Sequence, residues 1–580
     1  MRYPILNELP TSREIVDVFK GYNHNLRIGD GEFYDMTNLS SDNYPVLSPR
    51  SQRGVYATPQ NPQGMVAKDA LCFVDGGDFI INEHRIAMGL TDTPKTLISM
   101  GAYVIIMPDK KYINTADLAD YGPIEAEVEV GNVEFTLCKV DGVGYDNVKT
   151  QATAPTSEEM KADPTIMWLD TSVTPNVLKV YSTSTSAWSS VATTYIKISA
   201  TGIGLPFEEN DGVTIEGVVS EALADLNASM VVWAKGDNYI VVTGILDKVI
   251  TQEKPIKVTR KMPNMDFIIE SENRLWGCRY GVALNGEVVN EIYACKLGDF
   301  KNWNCFMGIA TDSYAATVGT DGQFTGAITH LGYPLFFKEN YMHKVYGNYP
   351  ANYQIQTTAC RGVQKDCERS LAIVNEVLYY KARSGICSYD GSLPVEVSSA
   401  LGEVSYHNAV AGSLGNKYYI SMADSEGEYH LFVYDTLKGM WHREDDTQAM
   451  AFCNCRGDLY YIDHADNNIK TVRGTGARED APIKWQAVTG IIGTDSPDKK
   501  YISRMDVRMS LAVGARVSFY AEYDSSGEWE HLFTMDGVKL RTFAVPIRPQ
   551  RCDHLRLKIL GNGDAKIYSI CKTTEQGSDV

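Results

Sequence analysis

The sequence has no Cys-x-x-Cys pair, no apolar run near the roughly 20 residues of a membrane span, and no Gly-x-Ser-x-Gly elbow. The first absence removes the paired spacings that zinc ligation needs. The 12 cysteines are scattered instead, with Cys453 and Cys455 flanking one residue and Cys360 standing apart from Cys367. No hydrophobic signal segment follows Met1-Arg2-Tyr3-Pro4, so the expectation is reduced, mostly buried thiols in a protein made in a cytosol. The second absence predicts a soluble chain without a membrane span. Positive charge is also short: 54 Lys and Arg face 73 Asp and Glu, for a net charge of −19. A sequence-specific nucleic-acid reader needs a basic face, so that class is excluded. A wall past which DNA slides is not excluded, because an acidic lining repels phosphate. Helical periodicity is scarce, and the two short candidates are Ser12–Lys20, with Ile15, Val18 and Phe19 on one face, and Glu221–Ser229.

What is present favours strands. The 34 Tyr against 17 Phe, with abundant Thr, Ser, Val and Gly, suit strands and tight turns. A motif recurs through the second half: a polar turn, an aromatic pair, then a second short strand. Its copies are Asn273-Arg274-Leu275-Trp276, Pro334-Leu335-Phe336-Phe337, Val377-Leu378-Tyr379-Tyr380, Asn416-Lys417-Tyr418-Tyr419 and Asp458-Leu459-Tyr460-Tyr461. A period of roughly 40–50 residues without a helical unit predicts propeller blades, each a small four-stranded sheet. In such blades Trp276, Phe337, Tyr380, Tyr419 and Tyr461 are expected to be packing residues, because both faces of a blade are covered.

At 580 residues the chain is long enough for about three or four domains. Residues 1–60 are rich in Gly, Asp, Asn and Pro and read as an extended, largely irregular arm with at most one short helix, which either packs on a neighbouring domain or subunit or stays mobile. Two hairpin-like stretches, Ala70–Ile81 and Leu97–Met107, place the first blades in 61–114. The repeat stops over 115–256, expected as one or two inserted β modules. It resumes over 257–472 and is closed by the linker Arg473–Asp480. The alternation in 473–580, as in Val517-Ser518-Phe519-Tyr520-Ala521, predicts a terminal β-sandwich. The expected fold class is all-β, a β-propeller with inserted β modules and a C-terminal β-sandwich.

Chemistry-bearing motifs are few. Gly202-Ile203-Gly204 lacks the Lys-Ser/Thr pair and following helix of a phosphate loop, and reads as a turn. Tyr523-Asp524-Ser525-Ser526-Gly527-Glu528-Trp529 reads as a hairpin turn capped by Asp524. In His442-Arg443-Glu444-Asp445-Asp446 adjacent acids on a strand point to opposite faces, which is unsuited to the paired carboxylates of a glycosidase. That run reads as a solvated blade loop. Ser-His-Asp chemistry stays open at this point. No catalytic, cofactor-binding or metal-binding residue is assigned, and no cofactor is expected.

Two stretches carry a family resemblance. Asp35-Met36-Thr37-Asn38-Leu39 and Pro45-Val46-Leu47-Ser48-Pro49-Arg50 precede the blades, and two blade crossings, Ile292–Trp303 and Phe432–Trp441, run from a strand through a polar Gly turn to Trp. Together these resemble phage virion β-propeller proteins of the tail-hub, nozzle or packaged-DNA stabilisation type of short-tailed phages. The resemblance implies a structural, non-enzymatic tail protein, a homo-oligomeric ring, commonly a hexamer, around a DNA exit channel. It further implies portal or adaptor proteins and tail fibre or spike proteins as partners, DNA passing without sequence-specific binding, and a place in the virion tail after assembly in host cytoplasm. A receptor- or glycan-binding tail protein using the 115–256 region is the alternative, and a propeller glycosidase a weaker one.

Overall fold

The computed structural model describes residues 11–283, 286–474, 477–478, 482–493, 499–547 and 550–576. The linker expected at Arg473–Asp480 lies partly outside them, at 475–476 and 479–480. The chain is all-β, and its repeating element is the propeller blade. Among the described residues five blade sheets, each of four strands in sequence order, span 62–87, 96–123, 267–317, 326–359 and 372–396, and a sixth set of four strands, over 407–443, runs in the same order within a larger sheet. A seventh comprises three strands over 449–471 and is completed by Gly54–Ala57, which joins antiparallel to Ile469–Thr471 with Gly54 opposite Thr471.

Every copy of the aromatic motif falls on the second strand of a blade: Arg274–Val282, Tyr333–Lys338, Val377–Ala382, Lys417–Ala423 and Asp458–Asp463. Trp276, Phe337, Tyr380, Tyr419 and Tyr461 are all buried, and Phe336 beside Phe337 is buried too. A strand covered on both faces shows a continuous apolar run instead of alternation, which is why these strands stand out in the sequence.

Contacts divide the chain into two compact units, Met1–Thr96 with Leu335–His343 and Thr357–Val580, and Leu97–Pro334 with Lys344–Gln356. In the first, Leu71, Phe73 and Ile80 share a core with Cys453, Cys455 and Ile462. There too Leu414, Tyr419 and Val433 pack on Leu459, Tyr461 and Val472. In the second, Ile98, Met100 and Ile105 pack with Ile268, Leu275 and Cys295. The second unit also holds an inserted module over 126–260, bounded later than expected because Tyr121–Pro123 still belongs to a blade. Its two sheets enclose a core of Phe135, Ile198, Phe207, Ile215, Ile240 and Val258. A smaller sheet over 148–190 carries the helix Ser157–Ala162, which is capped by Thr156 and Glu159. The candidate helix at Glu221–Ser229 is a 3-10 turn, Glu221–Leu226.

The first 60 residues differ from the expected irregular arm. Thr11–Val16, overlapping the first half of the expected helix Ser12–Lys20, is a strand paired with Ala565–Gln576, Thr11 lying opposite Glu575. Short helices are marginal on their own, so an available sheet edge wins the backbone hydrogen bonds. Gly21–Tyr22 and Glu32–Thr37 then enter a ten-stranded sheet that runs from the blade at 407–443 into the terminal module. Gly21 is required there: its φ is +84° and a Cβ would meet the Trp441 carbonyl oxygen at 2.3 Å. The terminal sandwich pairs Lys500–Leu511 with Ala565–Gln576 in one sheet and Arg516–Tyr523 with Leu555–Asn562 in the other. Strict alternation in Leu555–Asn562 puts Leu555, Leu557 and Ile559 inside.

Candidate functional site

A polar cleft of the first unit forms where the N-terminal strands cross the blade at 407–443. It offers about 460 Å³ and is lined by Ser41, Asp42, Arg50, Lys417, Asp435 and Glu444, among others. The blade contributes Lys417 from the start of its second strand and Asp435 from the end of its third. The arm contributes Ser40, Ser41, Asp42 and Arg50, positioned by the short pairing of Leu39–Ser40 with Ser48–Pro49.

Each carboxylate here has a cation. Lys417 Nζ donates to Asp42 Oδ1 at 2.6 Å and to Ser40 Oγ at 2.9 Å. Asp435 Oδ2 accepts from Ser41 Oγ at 2.6 Å and from Lys438 Nζ at 3.0 Å. Deeper, Arg53 bridges Glu444 Oε2 at 2.8 Å and Asp445 Oδ2 at 2.7 Å, while Arg50 Nη2 stands 3.5 Å from Asp445. Arg50, Arg53 and Glu444 are buried, so these bonds act in a medium of low dielectric. Burial pushes the Asp445 carboxyl up, but Arg53 and Arg50 outweigh it and the net shift is downward. The same balance, with Lys417 and Lys438 as cations, lowers Asp42 and Asp435. Burial, helped by Lys417, holds the His442 imidazole at about 3, so it is neutral.

The run His442–Asp446 is therefore no solvated loop. His442 and Glu444 are buried, and Glu444 and Asp445 are the far half of a clamp whose near half is Arg50 and Arg53. The two arginines were invisible as a site in the sequence because they lie in a turn-rich stretch almost 400 residues from their partners. The only available signal was arginine placed beside small polar residues in a segment without a core of its own.

This arrangement suits holding more than transforming. Acid–base catalysis on a glycosidic bond needs a carboxyl group held protonated near neutrality beside an ionised one. The cleft carboxylates with resolved shifts all move downward. The Asp266 carboxyl is shifted upward, through burial, but it lies outside the cleft and accepts a hydrogen bond from the Tyr280 amide. Gly202-Ile203-Gly204 is a turn against Gly236, where a Cβ on Gly204 would meet a carbonyl oxygen at 2.0 Å. The cysteines are free thiols, buried except for half-buried Cys360, and burial pushes Cys295 up to about 12. Such thiols are poor ligands and nucleophiles. No group of three or more His, Cys, Asp or Glu among the described residues is placed to hold a metal ion. No described helix is long and apolar enough to cross a membrane.

No family model matches the chain, and no curated protein matches it. Solved structures that overlay on it include an exo-beta-1,3-galactanase from Phanerochaete chrysosporium, at 8% identity over 53% of this chain and 94% of that one, with a TM-score of 0.20. An acylaminoacyl peptidase from Pyrococcus horikoshii overlays at 10% identity, over 50% and 47%, with a TM-score of 0.23. The extracellular domain of a putative hybrid two-component system from B. thetaiotaomicron covers 87% of this chain and 99% of its own at 8% identity, with a TM-score of 0.18. Superpositions this loose decide neither fold nor chemistry. The fold stands on the sheets themselves.

Proposed function

We propose that this chain is a structural component of a phage tail, a propeller subunit that assembles into a homo-oligomeric ring around a DNA exit channel. The observation that supports it is the clamp. This cleft of the first unit is filled by ion pairs that fasten the N-terminal strands to a blade, and Asp42, Asp435 and Asp445 are held ionised instead of poised for proton transfer. The sequence resemblance supplies the tail setting: a virion protein assembled in host cytoplasm, meeting portal or adaptor proteins and tail fibres or spikes. A net charge of −19 per chain suits a wall that DNA passes without adhering. Ring contacts would be heterologous, one patch meeting a different patch on the next copy. Negative-stain imaging of the purified chain with portal-adaptor partners tests this. Rings support the reading, and single particles at every concentration count against it.

A second reading has its own observation. In the inserted module, half-buried Trp188 lies edge-on to Trp168 at 5.5 Å and to half-buried Tyr181 at 5.4 Å, with Lys179 Nζ 4.6 Å over the Trp168 ring. Partly exposed aromatic rings beside polar groups suit glycan recognition. Loss of host-cell binding on Trp188→Ala, with assembly intact, would favour a receptor-binding role for this module.

A further inference from the structure

The terminal sandwich brings together three residues on the two loops at one end of paired strands. Arg516–Tyr523 leads into the turn containing Asp524 and Ser525, and its partner strand Leu555–Asn562 is preceded by Asp553 and His554. Ser525 Oγ lies 2.7 Å from His554 Nε2, and His554 Nδ1 lies 3.0 Å from Asp553 Oδ2. An ionised carboxylate only accepts, so Nδ1 carries the proton in the neutral ring. Nε2 is then the acceptor and Ser525 Oγ–H the donor. Nucleophile, base and orienting acid stand in the relative positions of a Ser-His-Asp triad.

Two further features fix this arrangement. Asp524 Oδ1 accepts from the amides of Asp553 at 2.7 Å and His554 at 3.3 Å, while the Asp524 amide donates to the His554 carbonyl at 3.0 Å. The turn thus pins the backbone that carries the imidazole. Ser525 itself sits at φ +51°, directly after Asp524 at φ +51°, with the Ser526 amide closing on the Tyr523 carbonyl at 3.1 Å. That position of a hairpin turn ordinarily calls for glycine. A serine there is strained, and strain of this kind gathers at functional sites.

We propose that Ser525 is a nucleophile toward carboxylic acyl esters, with His554 as its base and Asp553 as the residue that positions the ring. Oγ attacks the acyl carbon as its proton passes to Nε2; the bond to the leaving oxygen breaks, and the alcohol departs with that proton. Water then attacks the acyl-serine, gives its proton to Nε2, and the acid leaves as Oγ–H is restored. Ser525 and Asp553 are exposed and His554 is half-buried, so the site meets acyl groups presented at a surface. The Ser526 and Gly527 amides already donate to Tyr523 and Glu522, at 3.1 and 2.9 Å. They are not free to hold an oxyanion, and activated esters with good leaving groups are the substrates expected.

A fluorophosphonate probe, which loses fluoride as the Ser Oγ–P bond forms, tests this on the full-length chain with peptide mass mapping. Labelling should fall on Ser525 and disappear on acidification, since a protonated imidazole accepts no proton. His554→Asn should slow it roughly 100-fold or more. Asp553→Asn should slow it less and alter its pH dependence, which mere loss of packing would not do. Ser525→Gly relieves the strained turn, so it should melt at or above the wild-type temperature while labelling is abolished. Labelling that persists in Ser525→Gly, or a wild-type chain that stays unlabelled at Ser525, overturns the proposal.

Discussion

Arg53 holds two carboxylates at once, and its value to the fold follows from what remains when it is removed. Arg53→Ala would leave buried Glu444 and half-buried Asp445 without their closest cation, which costs about 3–5 kcal/mol. A lower urea midpoint with unchanged slope is the expected result. His442 makes the protein sensitive to acid. Its folded value of about 3 lies below the ordinary 6.5, so the unfolded chain takes up the proton first as pH falls. Stability from neutral His442 is complete above about 6.5 and declines from there toward pH 3, by at most about 1.4 kcal/mol per pH unit. His442→Asn should flatten the fall in urea midpoint between pH 6.5 and 4; an unchanged slope would contradict the assignment. The lowered carboxyls Asp42, Asp435 and Asp445 act in a lower window. Their contribution is present above the ordinary carboxylate value near 3.8 and is lost only below it.

At the scale of elements, the strand Gly54–Ala57 completes the blade at 449–471. A chain lacking residues 1–57 would bare the edge Ile469–Thr471, and an unpaired buried-type edge invites association between chains. Light scattering should show aggregation of that truncated chain at concentrations where the full-length protein is clear. The second strands of the blades behave differently, as packing units. Tyr380→Ala removes a fully buried ring that packs tilted against Phe337, centroids 5.2 Å apart, and whose hydroxyl donates to the Arg361 carbonyl at 2.5 Å. A loss of about 3–5 kcal/mol is expected in chemical denaturation. These contrasting elements explain what was readable. Tyr380 and its counterparts were visible because a strand buried on both faces writes a local aromatic run. The arm was not, because Thr11, Phe33 and Gly54 pair with Glu575, Thr489 and Thr471, and no local pattern records a partner so far away. Ile15, Val18 and Phe19 have helical spacing, yet Ile15 lies in the edge strand, opposite Cys571, and the strand ends at Val16.

For the whole molecule, fold and role were legible to different depths. The forty-residue period disclosed the blades from Trp276 to Tyr461, and weaker hairpins at Ala70–Ile81 and Leu97–Met107 disclosed two more. The clamp and the Ser525–His554–Asp553 constellation were closed to sequence reasoning, since each joins residues on separate loops or far apart in the chain. The proposed role is architectural, so its most direct test is assembly. The mass of the purified chain, measured by native mass spectrometry with and without portal-adaptor partners, should fall on one whole multiple of 64.3 kDa, with six the expected count. A single 64.3 kDa species in every condition would contradict the ring.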